Sequence, residues 1–229
     1  MAAMASMASN RNNTSADRVA LAGCLFALLV SAQSGAGDVK FNPTLTLNER
    51  YSDNIELASN SQINSFTTEV RPGFTLTSQG ARGDISVDYG LQALMYSHDS
   101  DANSNNNQLA AKLNSNWLDE RLFIDADARI AQQNANSTAT LGTGNYNISS
   151  NRSETVSLGF SPSWRSRFGN DATLDARWRA TYVDSDSASL PGTVSNSINL
   201  GLTSGSAFKR VPWNLAYQIR RSDASSGNG

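Results

Sequence analysis

The 229-residue chain has a single cysteine, a single histidine and only five prolines, and charged side chains make up 17% of it. One cysteine cannot form an internal disulfide or a thiolate metal cluster. One histidine, His98, stands beside Asp99 and Ser100. Three consecutive loop residues cannot orient one another as a nucleophile, base and carboxylate must be oriented. GxSxG, HExxH and phosphate-loop patterns are missing as well, so no catalytic residue is expected and the chain is read as not an enzyme. With a net charge of -2 there is no electrostatic basis for nucleic-acid binding. Mean hydropathy is -0.40, which excludes a bundle of spanning helices. The charge content is below the roughly 25% of soluble domains. Asn, Ser, Thr and Gly supply the polarity in its place.

The one long apolar run is Val19 to Val30, preceded by Arg11 and Arg18 and followed by Val30-Ser31-Ala32 and Ser34-Gly35-Ala36. Twelve apolar residues are too short for a stable spanning helix, and the order of basic, apolar and small residues is that of a secretory signal. Residues 1–36 are therefore expected to be a signal peptide plus the mature edge, with cleavage near 32 or 36. Leu21-Ala22-Gly23-Cys24 matches a lipobox. However, the apolar run continues for six residues past Cys24, and a lipobox should close such a run, so Cys24 reads as an ordinary residue of the signal.

From Val39 onward, apolar residues alternate with polar ones over stretches of about nine to twelve residues. The clearest stretch is Ile85, Val87, Tyr89, Leu91, Ala93 and Met95. Period-two alternation indicates a strand with one apolar face. Nine such strands are expected between residues 37 and 221, the last over Val211–Ile219, followed by a polar tail at 222–229. Central charges are confined to the second face. Asp125, Asp127, Arg129, Asp175, Arg177 and Arg179 are candidates to line a lumen, or to pair across strands and fill it. Connections alternate between short (78–83, 118–121, 166–170, 205–210) and long (52–65, 97–108, 134–151, 183–196). Trp117, Trp164 and Trp213 lie near the short ones, and Tyr51, Phe66 and Tyr182 near the long ones. Two aromatic belts and alternating loop lengths are features of an outer-membrane barrel with short periplasmic turns. The expected fold is an all-β, antiparallel, up-and-down transmembrane β-barrel in contact with outer-membrane lipid. A secreted sandwich is the alternative, but its strands would be shorter. Nine is an odd number, so these strands are expected to form an open sheet with the first and last as free edges, part of a larger barrel. Asp99 to Asn105 resembles the start of a calcium loop, but Ser104 and Ala110 occupy positions that need Gly and Glu. No metal or cofactor is expected.

Several segments resemble the outer-membrane proteins associated with the PEP-CTERM/exosortase system of exopolysaccharide-producing bacteria. They include Leu47-Asn48-Glu49-Arg50-Tyr51-Ser52-Asp53-Asn54-Ile55, Val70-Arg71-Pro72-Gly73, Tyr89 to Tyr96, Ile130-Ala131-Gln132-Gln133-Asn134 and Arg167-Phe168-Gly169-Asn170. The likeness spans about residues 40 to 217. It implies an outer-membrane location and a setting beside exopolysaccharide synthesis or its export machinery, as a pore or an anchoring component. It brings no catalytic residues. The competing reading is a non-conducting structural or adhesion barrel at the cell surface.

Overall fold

A computed structural model describes residues 38–134, 145–148, 151–187 and 192–225. The signal-peptide reading and the residues after Ser225 lie outside these. The described chain is one antiparallel sheet of nine strands in sequence order: β1 (Asp38–Ser52), β2 (Ser65–Gly80), β3 (Gly83–Tyr96), β4 (Ser104–Trp117), β5 (Leu122–Asn134), β6 (Arg152–Phe168), β7 (Ala172–Ser185), β8 (Gly192–Ser204) and β9 (Asn214–Ser225). A single meander is not the two-sheet arrangement of a sandwich. No described helix is long and apolar enough to cross a membrane.

Every expected apolar set falls on one face, because the registers keep the alternation in phase across all eight pairings. Phe41 lies opposite Leu76, Leu76 opposite Val87, and Ile85 opposite Leu113. Leu113 in turn lies opposite Ala126, Ala126 opposite Phe160, Leu174 opposite Leu202, and Ile198 opposite Ile219. A one-residue slip in any pair would turn a whole strand over. The apolar face packs sideways. One cluster joins Ala111, Ala128, Ile130, Val156 and Leu158, and another joins Ile85, Leu113 and Ala126, each drawing only on neighbouring strands. Rings link the outer strands in the same way: Phe74 lies 5.4 Å from Phe41 and 5.7 Å from Tyr89. Pro72 and Pro162 lie in interior strands, where a missing N–H interrupts the ladder. Accordingly the β2–β3 pairing skips residues 71–72, and the β6–β7 pairing skips 161–162.

The sheet is open. β1 pairs only with β2, and β9 only with β8, as expected from the odd strand count.

Three expectations about boundaries need correction. The strands run 12 to 17 residues, longer than the alternating stretches, because pairing continues through polar ends such as Asn105–Asn107 and Gln132–Asn134. This shortens two of the long connections, to 97–103 and 186–191. The β8–β9 connection is longer than expected. It covers 205–213 and contains a 3-10 helix, Ser206–Phe208. Val211 and Trp213 therefore precede β9, since Pro212 has no N–H to give the ladder. β9 in turn extends to Ser225, opposite Gly192, into the stretch read as a tail.

The longer strands show where the apolar face ends. Six charges fall in apolar phase: Glu49, Arg152, Glu154, Asp184, Arg221 and Asp223. All six lie at the end of the sheet that carries the connections after β1, β3, β5 and β7. At the opposite, turn end, the apolar phase has no charge.

Candidate functional site

The polar face carries two features, an open groove over β5–β9 and a covered region over β1–β3.

Register builds the groove. Phe123, Ser163, Arg177, Asn199 and Gln218 form one row across five strands, with side chains on one face about 4.8 Å apart from strand to strand. Asp125, Arg165 and Asp175 flank the row, and together they line a cavity of 970 Å³. Arg165 Nε donates to Asp175 Oδ1 at 2.7 Å, and its guanidinium stands 5.5 Å from the Phe123 ring centre. Arg179 Nη2 donates to Asp127 Oδ1 at 3.2 Å, spanning β6. Gly159 makes that reach possible. A Cβ there would stand 2.3 Å from Asp127 Oδ1, so the carboxylate occupies the space a side chain would fill.

Of the six lumen candidates, Asp127 and Arg179 therefore pair with each other, and Asp175 pairs with Arg165. Asp125 and Arg177 line the groove, while Arg129 is exposed on the same face. Both pairs are half-exposed, where an ion pair contributes about 0–1 kcal/mol. Gly159→Ala is expected to turn the half-exposed Asp127 side chain away from Arg179 and to cost only the value of that pair, about 0–1 kcal/mol. Gly90→Ala and Gly201→Ala, whose nearest neighbours stand at 4.0 and 3.9 Å, should be tolerated. An Asp127–Arg179 coupling that a double-mutant cycle finds unchanged in the Gly159→Ala background would refute this use of Gly159.

The covered region is centred on Glu69, which is 1% exposed. Asn48 Nδ2 donates to Oε2 at 2.8 Å, Gln92 Nε2 to Oε1 at 2.6 Å, and Arg71 Nη2 lies 3.0 Å from Oε1. The fourth partner comes from the β5–β6 connection: Tyr146 donates its hydroxyl to Oε2 at 2.8 Å. That bond, reinforced by burial, holds the Tyr146 phenol above its usual pKa. The Arg50 guanidinium lies over the Tyr146 ring at 4.1 Å, and Asn145 Nδ2 donates to Gln92 Oε1 at 2.8 Å. Ile148 N donates to Ile55 O at 3.0 Å. Ile55, Leu94 and Tyr96 are buried here, with Ile63, Tyr146 and Ile148 packed on them.

Sequence reasoning read these connections as hydrated loops and missed this region. The available signal was a break in alternation. Leu94 and Tyr96 are apolar in polar phase, and Ile55, Ile63, Tyr146 and Ile148 are isolated apolar residues in polar loops. Each set needs something to cover it.

Five of the six belt aromatics lie in strands and share the apolar face. Tyr51 and Phe66 face each other at 5.0 Å near the long connections. Tyr182 packs on the Ile130 cluster. Trp117 donates through Nε1 to Ser115 Oγ at 3.1 Å, and Trp164 shares the register row of Leu122. Trp213, outside β9, stacks edge-on against Phe208 at 5.8 Å.

No family model, no curated protein and no solved structure matches the chain.

Proposed function

We propose that the chain forms part of the wall of an outer-membrane β-barrel, delivered by a cleaved signal peptide. In this reading it serves exopolysaccharide export or surface anchoring as a pore or structural component. The observation that carries the proposal is the distribution of charge on the apolar face. The charge-free band starts at the turn end, and all six apolar-phase charges lie at the opposite end. A tilted spanning strand needs about 9–11 residues. The band in β5, Leu122 to Ile130, has that length, and the remaining polar ends would stand clear of the bilayer as a collar below the longer loops. Lipid contact explains why this band of the apolar face excludes charge, since Arg or Lys at mid-depth costs about 2–4 kcal/mol.

The polysaccharide setting draws on the resemblance to PEP-CTERM/exosortase-associated proteins. The second reading, a non-conducting surface barrel, is favoured by the covered region around Glu69 and by the Asp–Arg pairs, which occupy space a solute would need.

Cells producing the chain should carry it in the outer-membrane fraction, and N-terminal sequencing should find cleavage after Ala32 or Ala36. Retention of Met1, a lipid on Cys24, or recovery as free periplasmic protein would overturn the reading. Loss of the chain should leave polysaccharide inside the cell if it conducts, and should weaken only its attachment if it anchors.

A further inference from the structure

We propose that residues 145–148 are an internal strap, latched by Glu69, that closes the loop end of the polar face over β1–β3. Long connections of a barrel ordinarily project into water, where Asn, Ser and Thr are well hydrated. This segment turns back onto the sheet. Its one aromatic residue, Tyr146, donates a hydrogen bond to a carboxylate on β2 and packs beneath a guanidinium on β1. Its neighbour Asn145 bonds Gln92 on β3. The backbone of Ile148 bonds Ile55, so the first long connection is held down as well.

A buried carboxylate needs partners for its lone pairs. Asn48, Gln92 and Arg71 supply three from the sheet itself, and the strap supplies the fourth. Closure therefore depends on Glu69 being ionised and on Tyr146 keeping its proton. The strap covers Leu94, and the groove over β5–β9 remains open. The two halves of the polar face thus differ in access: water and solutes meet the groove directly, but reach Leu94 and Glu69 at the loop end of β2 and β3 only if the latch parts.

Water-soluble maleimide labelling of the full chain in isolated membranes tests this, in a Cys24→Ser background. Leu94→Cys lies under the strap, and Ser86→Cys is exposed on the polar face of the same strand. With the latch intact, Leu94→Cys should label at least roughly tenfold more slowly than Ser86→Cys. Tyr146→Phe should raise the Leu94→Cys rate by about tenfold, as loss of one hydrogen bond to a charged group would, Arg50→Ala should raise it by about two- to fivefold, as loss of an exposed cation–π contact would, and both should leave Ser86→Cys unchanged. Arg50 is an exposed residue on the edge strand, so its removal spares the fold even if Glu69→Gln does not. Chymotrypsin, followed by mass spectrometry, should show the bond after Tyr146 protected in the native chain and cut in Arg50→Ala. Equal labelling at both positions, or rates indifferent to Arg50 and Tyr146, would overturn the strap. Neither readout depends on which membrane holds the protein, so failure of the strap and failure of the outer-membrane reading give different results.

Discussion

Leu113→Arg should nearly abolish membrane assembly, whereas Asn114→Arg, one residue along, should be close to neutral. Leu113 sits in the middle of the apolar band of β4, buried between Ile85 and Ala126. Asn114 points to the opposite face and is exposed. A guanidinium at Leu113 must either stay buried in this apolar cluster or push out into hydrocarbon near mid-depth, where it costs about 2–4 kcal/mol, less toward the interface. The same substitution at Leu174, nearer the turn end of its strand, should therefore do less harm. Asp175→Arg should be milder again: it breaks the exposed pair with Arg165 but places no charge in the apolar face. Recovery in the membrane fraction and resistance to extraction from membranes are the readouts. Equal damage at Leu113 and Asn114 would mean that the two faces of the sheet are assigned wrongly.

The second large effect concerns the sheet edges. Expressed as these 229 residues alone and refolded in detergent, the chain should aggregate and show no heat-dependent shift. β1 and β9 each leave one side without a strand partner. Backbone N–H and C=O groups left unpaired in hydrocarbon cost several kcal/mol each. The edges cannot satisfy each other in the usual way. Strands one and nine run in the same direction, so closing the ring would require a parallel seam, and single-chain bacterial barrels have even strand numbers. A compact, heat-modifiable monomer would show that β1 and β9 do pair.

Much of this architecture could be read from residue order. The alternation through Ile85, Val87 and Tyr89 dictates a face, and the registers preserve that face through every strand. Asp125, Asp127, Asp175, Arg177 and Arg179 were legible as one charged surface because side-chain direction in a strand follows directly from parity. Which charges meet was not legible. Asp127 reaches Arg179 across two strand spacings only because Gly159 lies between them, and that coincidence depends on two registers at once. Boundaries were also less visible, because the polar ends of β4, β5 and β9 satisfy backbone hydrogen bonds without any alternation to mark them.

The sequence by itself determined the nine strands, their order and their two faces, because these follow from local periodicity. Tertiary structure alone decided that Tyr146 returns to Glu69, 77 positions away in the chain, and that the loop end of the polar face is covered while the groove stays open. A contact between a loop and a distant strand leaves no period in the sequence. It arises where a buried carboxylate and a few stray apolar side chains find the same partner in space.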